Sequence, residues 1–357
     1  MFVAEAINNK NLAIRVAQKN GKEKSEEDLF QEEEIRIFLI KISTNSLTKP
    51  PVVGGFVFLR SRDRMLDITM RFFKENFYIC ALVFLALCSA FVWYVVIEES
   101  RGLELTVAFL DIGQGDAIFI ESPTGRQVLI DGGPDKKVLR ELSKVMPFYD
   151  RSIDVVMSTH PDKDHIAGLP EVLNRYAVDY VFEPGIKSHN GVYDAFERAS
   201  KLEKADKIFA RRGEKIDLGG GALLSILSPD RDMEGTETNY ASIVAKLSYG
   251  KTSFLFTGDA PKPIEEYLAY LDGEALDVDV LKVGHHGSRT STSDIFLGLT
   301  SPTYGIISAG AYNRYGHPHK EVIDALERFG VKTLATYKKG AVVFKSDGEN
   351  VKVVRGE

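Results

Sequence analysis

Cysteine is almost missing from this 357-residue chain. There are two, Cys80 and Cys88, both inside one apolar run. That excludes a disulfide framework of the kind that staples small secreted domains, and it excludes a cysteine-based zinc site further along. An excess of basic charge is missing too. The formal net charge is −6, without the broad Lys/Arg footprint of a protein that grips nucleic acid by its phosphates. A phosphate-bearing substrate would have to be held locally, where bound divalent cations offset part of the negative charge. No repeat of fixed short period is visible. Histidine is absent from the first 159 residues.

Charge is absent altogether from residues 77–97 (FYICALVFLALCSAFVWYVVI), a run of 21 residues. At 1.5 Å per residue it would span roughly 30 Å, one hydrocarbon core. Tyr78 near one end and Trp93 and Tyr94 near the other suit the two membrane interfaces. Arg60, Arg62, Arg64, Arg71 and Lys74 precede the run, and Glu98 and Glu99 follow it. The positive-inside rule then predicts a single-pass anchor with a cytoplasmic N-terminus and an extracytoplasmic C-terminal domain. A cleaved signal peptide is disfavoured, because the run is long for such a segment and no small-residue cleavage site closes it. Residues 1–64 hold a charge run (KEKSEEDLFQEEE), one apolar stretch and two turn-like pairs, Pro50-Pro51 and Gly54-Gly55, and read as a weakly ordered cytoplasmic segment. Met65 and Met70 stand just before a short basic lead into the anchor, so translation starting at either is an alternative. The expected organisation is 1–64, then 65–102 with the anchor, then one domain over 103–357.

From residue 103 the pattern changes. Apolar runs predict strands over 105–110, 117–121, 127–130, 153–157, 180–182, 223–227, 242–247, 253–256, 278–283, 304–308, 331–336, 341–344 and 351–354. Helical patterns fall at 137–146, 169–175, 195–204, 263–271, 294–299 and 321–329. The strands form two meandering sets with helices interleaved, so the helices can only cover the outer faces of two packed sheets.

Six of the seven histidines then arrive in three tight clusters. The first, His160-Pro-Asp162-Lys-Asp164-His165, leaves the end of a strand on a loop. A loop can curl so that His160 and Asp162 serve one ion while Asp164 and His165 serve a second, the ions of such sites lying roughly 3.5–4 Å apart. Helix capping would explain one of these aspartates but not two histidines and two aspartates together. Thr257-Gly258-Asp259 ends another strand, where a carboxylate behind a glycine could bridge two cations. Gly284-His285-His286-Gly287-Ser288 follows a third strand; one imidazole can complete a metal shell while its neighbour faces substrate, and the spacing does not say which. Tyr315-Gly-His317-Pro-His319 precedes a helix, and helix initiation is its plainer reading. His189, alone in a polar loop, reads as a surface residue. Asp111 and Asp131, at Gly-rich strand ends, could orient histidine ligands or could be ordinary turn carboxylates. The Gly113-Gln-Gly115 pair is no dinucleotide fingerprint, because no helix follows it.

These motifs, in this order, resemble the metallo-β-lactamase superfamily, and within it the C-terminal hydrolase domain of ComEC-type DNA-uptake competence proteins. The carrying residues are Leu110-Asp-Ile-Gly-Gln-Gly-Asp-Ala117, Thr159-His-Pro-Asp-Lys-Asp-His-Ile166, Asn239-Tyr-Ala-Ser-Ile-Val244, Thr257-Gly-Asp259, Lys282-Val-Gly-His-His-Gly-Ser288 and Asn313-Arg-Tyr-Gly-His-Pro-His319. The resemblance implies an α+β fold, the αββα sandwich, with the site at one edge between the sheets; the charge-free run would precede it as a single N-terminal transmembrane helix. It implies His160, Asp162, Asp164, His165, Asp259 and one of His285 and His286 as ligands of two divalent metal ions. Asn239, Ser242, Ser288 and His319 stand in motif positions that orient ligands or touch substrate. Two departures matter. Asp162 stands where the superfamily usually has histidine, and a middle histidine ligand is replaced in the region of Asn239 and Ser242. A shell richer in oxygen tilts the metal from zinc towards manganese or magnesium and predicts that one site binds weakly. These 357 residues hold one charge-free run of spanning length, so the multi-span channel of the competence proteins is not expected among them.

The function this implies is a membrane-anchored phosphodiesterase or nuclease acting on DNA, single strands included, outside the membrane. A hydroxide shared by the two ions attacks phosphorus, Asp259 bridges the ions, Asp162 or Asp164 orients the attacking water and takes its proton, and the spare histidine of the 285/286 pair or His317 serves the phosphoryl oxygens or the leaving group. The alternatives are hydrolysis of another phosphodiester, a small ester or a lactone, and a tethered binding module with a degenerate metal site. A separate membrane channel as partner follows by analogy alone.

Overall fold

The computed structural model of the chain describes residues 76–100, 104–188 and 190–356. The segment 1–64, the lead up to residue 75 with Met65 and Met70, and His189 lie outside the described residues. The charge-free run is helical: α1 spans Phe77–Ser100. Its Phe77–Val95 stretch is long and apolar enough to cross a membrane, and none of that stretch is buried.

The remainder of the described chain builds two sheets. The first has eight strands: β1 (Leu105–Phe109), β2 (Ile118–Glu121), β3 (Gln127–Ile130), β4 (Ser152–Met157), β5 (Ala177–Glu183), β6 (Asp206–Phe209), β14 (Val342–Ser346) and β15 (Val351–Arg355), in the order β15-β14-β1-β2-β3-β4-β5-β6. The second has seven: β7 (Lys215–Gly219), β8 (Ala222–Ser228), β9 (Val244–Tyr249), β10 (Thr252–Phe256), β11 (Val280–Lys282), β12 (Tyr304–Ile307) and β13 (Lys332–Ala335), in the order β13-β12-β11-β10-β9-β8-β7. Both sheets are mixed. Each meanders antiparallel over part of its width, then runs parallel from β3 to β6 in one and from β10 to β13 in the other. Parallel neighbours need crossovers. These are α2 (Lys137–Leu142), α3 (Lys163–Ile166), α4 (Leu169–Leu173) and α5 (Gly191–Glu203) on one side, and α6 (Lys262–Asp272), α7 (Asp294–Thr300) and α8 (Lys320–Arg328) on the other. The expected α+β sandwich is therefore more parallel than two meanders. Strands β6 and β7 are absent from the expectation. They lie at one edge of their sheets, β6 mostly exposed and β7 alternating between exposed and buried or half-buried residues, so neither carries a continuous apolar run to read.

Side-chain alternation explains the layering. In β1, Leu105, Val107 and Phe109 point into the space between the sheets while Ala108 turns outward; in β10, Phe254 and Phe256 point in and Leu255 out. The inward set fuses into one core between the sheets. The outward residues of the first sheet pack with Val138, Leu142, Leu169, Val172 and Phe196 of the helices above them. Those of the second sheet pack with Leu268, Phe296, Leu297, Val322 and Leu326. Two helical layers thus enclose two sheets, as the αββα reading expects. Phe109 ties the sheets together, its ring 6.2 Å from Phe256 across the interface and 6.0 Å from Phe344 beside it. Phe109→Ala should cost about 3–5 kcal/mol of unfolding free energy, measured by chemical denaturation; a loss under about 1 kcal/mol would show that the interface does not depend on this ring.

Candidate metal centre

The parallel segments place the chemistry. Strands β3 and β4 end side by side, and so do β10, β11 and β12. Asp131 follows β3, the segment 158–165 follows β4, Asp259 follows β10, the histidine pair follows β11 and Ser308 follows β12. Backbone bonds fasten the loops at this edge, one between the two sheets and one within the second. The Ile243 N–H donates to the Thr159 carbonyl at 2.9 Å and the His285 N–H to the Gly258 carbonyl at 3.1 Å. A Cβ at Gly115 would overlap the Asp164 carbonyl oxygen, so the loop after β1 can close on the site only as glycine. Asp131, His285 and His286 all adopt left-handed backbone, with φ of 60°, 49° and 55°. Strain of this kind in non-glycine residues persists where the surroundings over-determine it and concentrates at functional sites.

Asp259 lies at the centre. Its carboxylate oxygens are 3.9 Å from His160 Nε2, 3.3 Å from His165 Nε2, 3.5 Å from His285 Nε2 and 3.4 Å from His286 Nε2. Each of these imidazoles is held by its other nitrogen. His160 Nδ1 meets Thr159 Oγ1 at 3.0 Å, His165 Nδ1 meets Asp131 Oδ2 at 2.8 Å, His285 Nδ1 meets Thr290 Oγ1 at 3.1 Å, and His286 Nδ1 meets the Ser308 carbonyl at 2.9 Å. Four Nε2 atoms are thus aimed at one carboxylate, the orientation that metal-ligating histidines receive from their outer partners. The two remaining aspartates flank this group at its solvent side: Asp162 Oδ2 is 3.8 Å from His160 Nε2, and Asp164 Oδ2 is 3.5 Å from His286 Nε2. Neither caps a helix with its side chain, and the α4 helix starts from Gly168.

The residues fit divalent cations. The His160 Nε2 and Asp259 Oδ1 atoms are buried without a hydrogen-bond partner. Ligand atoms of Asp116, His165, Asp259 and His286 lie within 4.8 Å of one another. Burial works to lower the imidazoles of His165 and His286, yet the charge of Asp259, with Asp131 behind the first and Asp116 behind the second, holds both well above the ordinary histidine value. Their Nε2 atoms are only 3.3 Å apart, and two imidazolium rings in that position repel. The carboxylates demand positive charge at this point, and a metal ion supplies it without that repulsion. Burial, followed by the charge of His165, pushes His160 down to about 4, leaving a neutral ring with a free ligating nitrogen. Burial works to raise Asp259 and Asp164. The histidines around them outweigh it and keep both carboxylates ionised.

Several expected residues fall elsewhere. Asp111 pairs with Lys137 at 3.3 Å on the partly exposed rim and orients no histidine; Asp131 does so, binding His165 and both the Thr159 N–H and hydroxyl. Ser242 Oγ accepts from the Asp259 N–H at 3.3 Å, and Asn239 Oδ1 lies buried nearby in the Thr238–Ala241 turn without a partner. Ser288 Oγ accepts from Thr290 Oγ1 at 2.9 Å, and so supports His285 at second hand. His317 packs 5.5 Å from the His285 ring and 6.4 Å from His286, and its Nδ1 has no partner. His319 accepts from the Arg289 N–H at 3.2 Å and starts α8, at the edge of the group.

Three contributors do not stand out in the sequence. Asp116 faces His286 Nδ1 at 3.4 Å and is held by Lys282 Nζ at 2.7 Å. Burial works to raise this carboxyl, but Lys282 and then His286 bring it down to about 2. Its Oδ1 is buried without a hydrogen-bond partner, while the Ser308 carbonyl takes the His286 Nδ1, so Asp116 acts as buried negative charge beside His286 and as one of the four groups gathered around a cation position. A lysine ending a buried apolar strand is the signal that could have found the pair. Glu265, on α6, is the third. Its oxygens accept from the Thr292 and Ser293 N–H groups at 2.7 and 2.8 Å, bracing the loop that carries the histidine pair. Burial, against those two bonds, pushes its carboxyl up to about 7. A raised carboxyl stabilises the fold below its unfolded value, near 4.5, and that contribution is lost as pH rises through 7. Unfolding free energy should therefore fall by about 3 kcal/mol between pH 4.5 and pH 8 through this group. The decline should be correspondingly shallower in Glu265→Gln, measured by denaturation at both pH values; identical slopes would remove the assignment.

The metallo-β-lactamase superfamily sequence profile matches residues 110–311. Among curated proteins, ComE operon protein 3 of Bacillus subtilis is 30% identical over 283 residues, covering 72% of this chain and 35% of that protein. Recombination protein 2 of Haemophilus influenzae is 30% identical over 225 residues, 62% of this chain and 26% of its own length, and competence protein ComA of Neisseria gonorrhoeae is 27% identical over 256, 71% and 34%. The chain thus spans about a third of the length of the relatives it matches. Among solved structures, the diiron β-hydroxylase CmlA of Streptomyces venezuelae is similar at a TM-score of 0.43 and 16% identity, over 64% of this chain and 52% of that one. Zn(2+)-bound PqqB of Methylobacterium extorquens is similar at 0.42 and 13%, over 62% and 85%. With its profile, its layering and its strand-end cluster in agreement, the chain belongs to the metallo-β-lactamase superfamily.

Proposed function

We propose that the chain is a metal-dependent phosphodiesterase acting on DNA. The observation that carries the reading is the meeting of four imidazole Nε2 atoms on Asp259, with Asp162 and Asp164 at the open side. In this reading Asp259, with His160, Asp162 and His285 on one side and His165, Asp164 and His286 on the other, would hold the cations. Divalent cations, zinc or manganese, bound there would polarise a phosphoryl oxygen and bring the pKa of water towards neutrality. The protein's own groups do the rest. Asp131, Thr159, Thr290 and Ser308 hold the four rings so that each presents Nε2 inward. The side chain of Asp162 remains 41% exposed and that of Asp164 29%, within reach of an incoming water, so either can accept its proton. His317, with an unpartnered ring nitrogen beside His285, is placed to hydrogen-bond a phosphoryl oxygen or the leaving group.

DNA as substrate is supported by a relative named as a competence protein and by the resemblance of the ordered motifs to the hydrolase domain of DNA-uptake competence proteins. The apolar α1 supports tethering. Its basic lead and acidic exit favour a cytoplasmic N-terminus and an extracytoplasmic domain; a separate membrane channel as partner rests on analogy with DNA-uptake systems.

Asp259→Asn should lower turnover of bis(p-nitrophenyl) phosphate by at least about a hundredfold, since even outer partners of metal ligands cost about 10–100-fold, while the unfolding midpoint of the metal-free protein changes little. Chelation should abolish turnover, and Mn²⁺ or Zn²⁺ should restore it. Undiminished hydrolysis by the variant, or by the chelated protein, would overturn the reading.

A further inference from the structure

The loop that carries His317 holds two aromatic side chains outward. Tyr312 is fully exposed and Tyr315 about half exposed, with Arg314 between them. The Arg314 guanidinium lies over the Tyr315 ring, 4.9 Å from its centroid, and donates to the Tyr315 hydroxyl at 2.8 Å. Tyr315 in turn stacks on His317, with centroids 5.6 Å apart and planes 24° from parallel. Flat groups therefore run in series from the metal centre to solvent: His285, His317, Tyr315, then the guanidinium.

The loop is pre-formed. Asn313 closes it from inside: its amide donates to the Gly310 and His317 carbonyls at 2.8 and 2.6 Å, and its oxygen accepts from the Tyr315 and His317 N–H groups at 3.1 and 2.9 Å. The His319 N–H fastens its far end to the Gly287 carbonyl at 2.9 Å, and Gly310 fastens its near end to Gln114 at 3.2 Å. Burial accounts for neither tyrosine, since neither is buried. Exposed rings on a braced loop beside a site present their faces at little entropic cost.

We infer that the Tyr312 ring and the Arg314 guanidinium, which caps the His317–Tyr315 stack, form a stacking platform that takes unpaired nucleobases of a single strand whose phosphodiester enters the metal centre. Each base has a π-face that an aromatic ring can stack on irrespective of sequence, and Arg314 adds a local cation for a phosphate or a base. A duplex keeps its base faces covered, and a phosphodiester without bases offers the rings nothing to stack on. The platform thus narrows the substrate to a strand end or single strand, in keeping with an acidic chain that lacks a broad basic face. The inference rests on the phosphodiesterase reading.

The test is binding of a fluorescent oligothymidylate of about ten nucleotides, against an abasic deoxyribose-phosphate strand of equal length. The full chain is used in detergent, with EDTA present so that nothing is cut. Wild type should bind oligothymidylate at least about fivefold more tightly than the abasic strand. Tyr312→Ala/Tyr315→Ala should abolish that preference while binding the abasic strand as before, and Tyr312→Phe/Tyr315→Phe should keep it. Equal binding of both strands by wild type, or a preference unchanged in the alanine variant, would overturn the platform. Hydrolysis of bis(p-nitrophenyl) phosphate by wild type, followed in parallel with Mn²⁺, reports separately on the phosphodiesterase reading.

Discussion

The edge of this sandwich depends on one constraint: a buried carboxylate, Asp259, that four imidazoles approach and no hydrogen-bond donor saturates. Its Oδ1 atom has no partner, and Asp116, Asp131 and Asp164 add negative charge around it. A cluster of that sign taken out of water is costly unless positive charge is supplied. Protonating His165 and His286 supplies it poorly, because their nitrogens nearly touch. The site's geometry is intelligible as a cradle for cations, with each ring locked by a donor or acceptor behind it.

That cradle explains features which look expensive in isolation. Left-handed backbone at His285 and His286 turns two consecutive rings towards one carboxylate. A lysine fully buried at the end of β11 meets Asp116, which in turn faces His286. Glu265 is held buried against its tendency to stay ionised, because two N–H groups of the loop after the histidine pair need an acceptor. Each is a local cost that positions or braces a group at the centre, where the loops are anchored to the ends of rigid parallel strands.

Outside the centre, the exposed tyrosines and the braced loop around Asn313 separate two tasks. The cluster at Asp259 has the chemistry for a phosphate, and the loop has the flat faces for whatever is attached to that phosphate.

The layering was legible in the sequence because alternation in strands such as β1 and β10 assigns each residue to one face or the other, and only helices can cover what the sheets leave outside. The clusters at His160–His165 and His285–His286 were legible because imidazoles and carboxylates crowded at strand ends suit a metal ion far better than a packed core or a solvated turn. The edge strands β6 and β7 were not, for lack of a continuous apolar run. Nor were the roles of Asp116, Lys282 and Glu265, or the choice of Asp131 over Asp111. Each depends on which residues from distant stretches meet in space: Asp116 finds Lys282 and Asp131 finds His165 only once two sheets are stacked and their strand ends brought level. Residue types set what chemistry was available; tertiary structure decided which of them share a charge, because electrostatic partnership depends on distance, and distance along the chain does not predict distance across a core.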